Sequence, residues 1–93
     1  MLENELQQKV KKDLEKSNIY VVNIHGGGWG SKGTPDLLCS IKGKFYALEL
    51  KVGNNKPSNA QLIHEISIKR SGGEHRFIWD WNGYLDFKKE IGI

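Results

Sequence analysis

Cysteine, proline and long apolar runs are scarce in this chain of 93 residues. The single cysteine, Cys39, excludes an internal disulfide and is typical of proteins from a reducing compartment. No apolar stretch approaches the roughly 20 residues that a membrane helix needs. The start of the chain, Met-Leu-Glu-Asn-Glu, is acidic and has no apolar run behind it, so we expect no signal peptide. These features predict an intracellular, cytoplasmic protein without membrane contact.

Several common catalytic and binding motifs are also missing. The three histidines, His25, His64 and His75, lack the spacing of metal ligands, and one cysteine gives little support to a zinc site. Lys32 is followed by Gly33, so the glycine-rich stretch around it lacks the Gly-Lys-Ser/Thr ending of a P-loop. Nothing forms a plausible Ser-His-Asp triad. The pattern therefore argues against zinc proteins, P-loop nucleotide hydrolases and serine hydrolases.

Length and charge set further bounds. The formal net charge of +3 and the pI of about 9.0 permit binding to nucleic acid without requiring it. A chain of this length is expected to form one domain, spanning residues 1–93. A domain this small buries only roughly 60–65% of the surface that its unfolded chain exposes. Its own core is therefore thin, and a second copy of the chain would be a natural source of stability.

Apolar periodicity and turn residues predict the element order α-β-β-β-α-β-α. Leu2, Leu6, Val10 and Leu14 recur every four residues, which indicates an amphipathic helix over 2–16. The later patterns predict, in chain order, a strand at 19–24, a glycine-rich loop at 25–34, a hairpin at 36–51, a helix at 58–71, a strand at 75–81, a turn at Asn82-Gly83 and a short helix at 84–91. We find no internal repeat or linker.

The predicted hairpin brings two carboxylates together. A turn at 42–43 would pair Leu38 with Ala47 and, further from the turn, Asp36 with Glu49. Directly opposed residues of an antiparallel pair have Cβ atoms about 4.5–5.5 Å apart on one face of the sheet. Two like charges in that position destabilise a fold unless something offsets them, and a divalent cation with oxygen ligands is the natural offset.

Two more charged residues fall near this pair. Lys51 lies two residues after Glu49, so strand alternation places both on one face. A lysine there can stabilise negative charge on an attacked phosphate or position a water. In the first helix, Glu3 falls on the apolar side of the helical wheel and Glu5 does not. Since a carboxylate on a buried face needs a partner, Glu3 is a candidate to reach the same site.

At this point the sequence resembles a known group of nucleases. Pro35-Asp36, twelve further residues and then Glu49-Leu50-Lys51 resemble the PD-(D/E)xK motif. Within that superfamily the chain is most similar to the VRR-NUC domain, and archaeal Holliday-junction resolvases are similar too. The matching pieces are Glu3 with Gln7, Gly33-Thr34-Pro35-Asp36, Glu49-Leu50-Lys51, and Pro57-Ser58-Asn59-Ala60-Gln61 ahead of Gly72-Gly73. The resemblance implies an α/β fold with a restriction-endonuclease-like core, in which helices flank a mixed sheet.

The resemblance also implies a cofactor and a ligand set. It implies Mg²⁺ or Mn²⁺ held by Asp36, Glu49 and the Leu50 carbonyl, with Glu3 joining directly or through water. It implies that Lys51 is the catalytic lysine and that Gln61 lies at the edge of the site.

One departure concerns the substrate phosphate. Family members often carry an arginine near the end of the first strand, where this chain has Asn23 and His25. Which residue grips the phosphate is therefore left open by the sequence.

The same resemblance suggests a substrate and an assembly. Stand-alone domains this short, as in phages, look like homodimeric resolvases of four-way DNA junctions, whereas larger members carry the domain as one part of a DNA-repair nuclease. We therefore predict a homodimeric DNA endonuclease acting on branched DNA. A nuclease of the same chemistry for flaps, nicks or single strands, and a non-catalytic DNA-binding module, are the alternatives.

Some residues admit two interpretations. Gln61 lies three residues after Ser58, as in a helix capping box, so it can serve the helix and not the site. Glu3 can instead belong to a frayed first turn. In the glycine-rich loop His25, Ser31 and Lys32 are candidates for DNA contact, and a simple connector is the alternative. For the two tryptophans at 79 and 81, packing in a core or a dimer is favoured over base stacking.

Overall fold

The computed structural model describes residues 2–24 and 32–93. In chain order its elements are α1 (Glu3–Lys16), β1 (Tyr20–Asn23), β2 (Leu37–Ile41), β3 (Lys44–Leu50), α2 (Asn59–Arg70), β4 (Glu74–Ile78) and α3 (Trp81–Ile91). The four strands form one sheet in the order β1-β2-β3-β4, in which β1, β2 and β3 pair antiparallel and β4 lies parallel to β3. The predicted element order and the mixed sheet flanked by helices are both confirmed.

The main core lies between one face of the sheet and the helices α1 and α3. The sheet and both helices contribute its buried side chains, which are Leu6, Val10, Leu14, Val21, Leu37, Cys39, Ile41, Tyr46, Leu48, Leu50, Ile78, Tyr84 and Phe87. A polar contact joins the two helices, because the Tyr84 hydroxyl donates to Asp13 Oδ2 at 2.6 Å. The spacing of four that predicted α1 therefore marks its buried side. Leu2 is the exception: it precedes the helix and is 67% exposed, so its predicted place in the apolar stripe was wrong.

The opposite face of the sheet is only partly covered. Helix α2 packs against β4, and Ala47, Glu49 and His75 are buried on that face. Helix α2 itself has no fully buried side chain. Three large apolar residues of α2, namely Leu62, Ile63 and Ile66, are exposed. One side of this helix therefore presents apolar surface outward.

The hairpin between β2 and β3 follows the predicted register. Lys42 and Gly43 both have positive φ angles, 53° and 79°, as a two-residue type I′ turn requires. Leu38 consequently pairs with Ala47, as the turn position predicted. This local geometry fixes which side chains of the two strands face each other.

The end of the chain differs from the prediction. Strand β4 ends at Ile78, and Trp81 is already the first residue of α3. The Asp80 carboxylate accepts a hydrogen bond from the Gly83 backbone N–H at 2.7 Å and so caps this helix. The predicted turn at Asn82-Gly83 was therefore wrong, since both residues lie in the first helical turn. The predicted alternation of Trp79 and Trp81 along one strand was wrong for the same reason.

Among residues 2–24 and 32–93, no helix is both long enough and apolar enough to cross a bilayer.

Candidate active site

Asp36 and Glu49 lie close together at the open end of the hairpin, away from its turn. Strand β2 begins at Leu37, and the N–H of Asp36, the residue before it, donates to the Leu48 carbonyl at 3.1 Å. The same N–H lies 3.1 Å from Glu49 Oε2. In return, the Leu50 N–H donates to Asp36 Oδ2 at 2.8 Å. Each side chain thus binds the backbone of the opposite segment, which holds the two carboxyl groups close together. The paired register itself ends at Leu37 with Leu48, one residue short of the predicted pair of Asp36 with Glu49.

This proximity of two carboxyl groups is electrostatically costly without a cation. Glu49 is only 4% exposed, and burial together with the nearby Asp36 charge raises its pKa to about 8. Burial also raises the pKa of Asp36, while the hydrogen bond from the Leu50 N–H acts in the other direction. At neutral pH the pair is therefore poised to hold a proton, or a cation in its place.

Lys51 and Glu3 act on both carboxyl groups. The Lys51 ammonium lowers the pKa of Asp36 and of Glu49, whereas the Glu3 charge raises both. Glu3 is half-buried and Glu5 is exposed, which agrees with the positions predicted from the helical wheel. The charges of Lys51 and Glu3 are therefore near enough to both carboxyl groups to shift their pKa values.

Gln61 serves the helix and also contacts the site. Its Oε1 accepts from the Ser58 N–H at 2.9 Å and its own N–H donates to Ser58 Oγ at 3.1 Å, which completes the predicted capping box. Its side-chain amide Nε2 donates to Glu49 Oε1. The two interpretations of Gln61 are therefore compatible: the cap orients the amide that holds Glu49.

The donor set fits a hard divalent cation that keeps part of its hydration shell. Within the part of the chain that the structure describes, no group of three or more His, Cys, Asp and Glu side chains is close enough to hold a metal ion. Asp36 and Glu49 supply two carboxylates, and Leu50 adds a backbone carbonyl between Glu49 and Lys51. Mg²⁺ is commonly bound by one or two carboxylates plus several waters. This favours a role for Glu3 through a water over direct coordination.

Two backbone contacts lie next to the site, and the sequence analysis singled out neither of them. A Cβ on Gly33 would lie 2.5 Å from the Ala60 backbone carbon, so only glycine lets this segment pack against the start of α2. Next to it, the Ile24 N–H donates to the Asp36 carbonyl at 2.8 Å. Gly33 belongs to the segment Gly33-Thr34-Pro35-Asp36, which resembles the VRR-NUC domain. That resemblance was the only hint in the sequence of the contact between Gly33 and α2.

Asn23, at the end of β1, has a partner in the first helix. Its side-chain Nδ2 donates to Gln7 Oε1 at 3.1 Å. This contact joins β1 to α1 at the end of the sheet where β2 begins. Asn23 therefore acts in the structure as a link between elements.

The candidate DNA-contact residues of the glycine-rich loop are only partly described. His25 and Ser31 lie outside the described residues. Lys32 is exposed, and its carbonyl oxygen lies 3.2 Å from His64 Nε2 of α2. The Lys32 side chain is therefore accessible to a ligand on the α2 side of the molecule.

Trp79 is a further residue whose position sequence reasoning did not anticipate. Glu49 pairs with Phe77 in the parallel register, and the Lys51 N–H donates to the Ile78 carbonyl at 2.8 Å. Trp79 consequently lies beside Lys51 at the edge of the sheet. Only the parallel pairing of two strands separated by α2 reveals this neighbour.

The comparisons with known proteins establish the fold. No family profile matches the sequence, and no curated protein sequence matches it either. Among solved structures, a VRR_NUC domain is similar with a TM-score of 0.80 and 24% identity, covering 98% of this chain and 97% of that one. Hjc from Archaeoglobus fulgidus, a Holliday junction resolvase from an archaeal hyperthermophile, is similar with a TM-score of 0.64 and 16% identity, covering 83% of this chain and 67% of that one. The chain thus shares its fold with both structures.

Proposed function

We propose that this chain is a metal-dependent endonuclease that hydrolyses phosphodiester bonds in DNA. The observation that carries the proposal is the close pair formed by buried Glu49 and half-buried Asp36, with Lys51 two residues after Glu49. Mere binding of DNA requires no such pair, because two facing carboxylates repel both each other and a phosphate. A non-catalytic DNA-binding module is therefore the weaker explanation. The shared fold with a VRR_NUC domain and a junction resolvase supports the same choice.

The residues divide the work of hydrolysis. Asp36, Glu49 and the Leu50 carbonyl would hold Mg²⁺ or Mn²⁺, which when bound polarises a phosphate and acidifies a water. Lys51 places a positive charge where negative charge grows on the attacked phosphate. Gln61 keeps Glu49 oriented through the amide contact. Glu3 adds a carboxylate that can accept a hydrogen bond from a water at the edge of the site.

We propose a four-way DNA junction as the substrate. The support is the fold shared with Hjc, which is described as a Holliday junction resolvase. The alternative substrates, namely flaps, nicked DNA and single strands, use the same chemistry and require only a different shape of DNA surface. The intracellular location expected from the single cysteine agrees with a DNA substrate, and a phage origin remains a prediction.

We also propose that the working unit is a homodimer. Leu62 is 38% exposed, Ile63 61% and Ile66 55%, so α2 presents a contiguous apolar side. Exposed apolar surface of this kind usually marks an interface. The aromatic segment 77–81 is a weaker candidate for the dimer surface, because Ile78 there is buried and α2 offers more exposed apolar surface. A dimer with two-fold symmetry would match the symmetry of a four-way junction.

A cleavage assay on a panel of DNAs tests these proposals. The panel holds a four-way junction, a flap, a nicked duplex, a single strand and an intact duplex, each with Mg²⁺, with Mn²⁺ or with EDTA. We expect cleavage of the junction with either metal and none with EDTA, from the wild type but not from Glu49→Gln. Cleavage that persists in EDTA or in this variant would contradict the assigned site. Sedimentation of the wild type and of Ile66→Glu at micromolar concentration tests the dimer, which only the wild type should form.

A further inference from the structure

A pocket of about 370 Å³ opens near the proposed nuclease site, just after the carboxyl-terminal ends of β3 and β4. Its walls are formed by Leu6, Val52, Gly53, Trp79, Asp80, Trp81 and Asn82. We propose that this pocket binds an unpaired nucleobase next to the phosphate that is cleaved. The proposal rests on the proposed nuclease function and adds to it a subsite that selects DNA with unpaired nucleotides.

The register places the pocket directly after the catalytic strand. Because β3 and β4 are parallel, their carboxyl ends lie at the same edge of the sheet. Lys51 follows β3 and Trp79 follows β4, and the backbone bond from Lys51 N–H to the Ile78 carbonyl keeps the two segments side by side. Val52, the residue after Lys51, is itself in the pocket wall. A nucleotide whose phosphate lies at Lys51 would therefore have its base within reach of Trp79.

Trp79 is accessible and held in place. Its side chain is 39% exposed although tryptophan is costly to leave in water. Its indole N–H donates to the Asn55 carbonyl at 3.3 Å, and its ring lies 5.8 Å from the Phe77 ring. These contacts restrict the indole without covering it. A preorganised, partly exposed aromatic ring is suited to stack on a base, since every base has a flat π-face.

The polar groups around the pocket suit a nucleotide better than an apolar ligand, because the Asp80 carboxylate in the wall already accepts from the Gly83 N–H and two lysines lie nearby. Lys9 Nζ lies 4.2 Å from the centre of the Trp81 ring, and Lys51 directly precedes Val52 of the pocket wall. Two lysines beside an aromatic pocket suit a flat base that is attached to phosphates on both sides. The Asn82 side chain at the rim offers both a donor and an acceptor to a base edge. An aliphatic chain would satisfy neither the lysines nor the amide.

Binding measured without metal separates this subsite from catalysis. The probe is a labelled duplex with a short single-stranded thymidine tail, compared with the same DNA in which the tail nucleotides are abasic. Both carry the same phosphates, so only the bases differ. In EDTA we expect the wild type to bind the thymidine tail roughly five- to hundredfold more tightly, the range expected for stacking of one base. Trp79→Ala should lose this preference, whereas Trp79→Phe should retain most of it.

Two controls keep the outcomes distinct. Leu85→Ala removes another exposed apolar side chain, on α3 and outside the pocket, and should keep the full preference. Asp36→Asn should also keep it while losing cleavage. A wild type that binds both tails equally, or a Trp79→Ala variant that folds normally and keeps the preference, would overturn the subsite even if the protein cleaves DNA. Conversely, a preference without any metal-dependent cleavage would leave the subsite standing and overturn the nuclease function.

Discussion

Replacing Asp36 by asparagine should abolish cleavage and yet stabilise the metal-free protein. Asparagine keeps an oxygen that can accept the Leu50 N–H, which Asp36 Oδ2 now does at 2.8 Å. It removes the negative charge that faces Glu49. The substitution therefore preserves the geometry of the site and changes its electrostatics.

The pKa of Glu49 gives the size and the pH range of the effect. Folding raises this pKa from 4.5 to about 8, so the folded state retains a proton that the unfolded chain has already lost. The free energy of unfolding consequently falls as the pH rises from 4.5 through 8, by about 5 kcal/mol in all. Burial is the largest cause and the Asp36 charge the second, so removal of that charge should recover a part of this loss. The stabilisation by Asp36→Asn should thus be larger at pH 9 than at pH 6.

Thermal or urea unfolding in EDTA at both pH values measures this difference. For a domain of this size, 1 kcal/mol corresponds to about 4–8 °C in the melting temperature. Asp86→Asn is the matched control, because Asp86 is an exposed carboxylate of α3 away from the site. With Mg²⁺ added the order should reverse, since a bound cation stabilises the wild type by mass action and the variant has lost a ligand.

Two outcomes would refute the reasoning. The first is an Asp36→Asn variant that is less stable than the wild type at pH 9 in EDTA, which would mean that the carboxylates do not repel each other. The second is a stabilisation of the same size at pH 6 and pH 9, which would remove Glu49 from the explanation. Cleavage of DNA at a near wild-type rate by this variant would separately contradict the metal site.

Three further substitutions test the other members of the site. Lys51→Ala should lower the single-turnover rate by roughly a hundredfold or more while DNA affinity changes little, as expected for a charge that acts on the transition state; a loss of affinity at an unchanged rate would make Lys51 a phosphate-binding residue only. Glu3→Gln should reduce metal-dependent activity more than Glu5→Gln, and equal small effects would remove α1 from the site. Gln61→Ala should slow cleavage more than Ser58→Ala, although both remove the helix cap and so lower the free energy of unfolding by about 1 kcal/mol. Equal rates for the two variants would mean that Gln61 only caps the helix.

The closeness of the two carboxylates was predictable from the sequence because its causes are local. The two residues at 42–43 set the turn, the turn sets the register, and alternation along each strand decides which side chains face each other. The positions of Glu3 and Glu5 on α1 followed from helical periodicity in the same way. The element order and the mixed sheet were confirmed, while the functional roles of the site residues remain predictions.

The last helix shows where local patterns mislead. The sequence indicated a strand that continues to residue 81 and a turn at Asn82-Gly83, since an aromatic run favours a strand and Asn-Gly favours a turn. In the structure Asp80 caps α3 instead, and Trp81 packs 4.9 Å from the Tyr84 ring one turn later. Tertiary packing of α3 on the core decided between two locally acceptable conformations.

The sequence by itself determined the element order, the register of the hairpin and the closeness of Asp36 to Glu49, because turn chemistry and strand alternation act over a few residues. Only the tertiary structure brought Gln61 onto Glu49 and Trp79 beside Lys51. Both contacts depend on how α2 and β4 return to the sheet after β3. Turn residues and periodicity predict local structure, and they do not show which elements far apart in the chain come into contact. Such contacts arise only when several elements bury their apolar faces together.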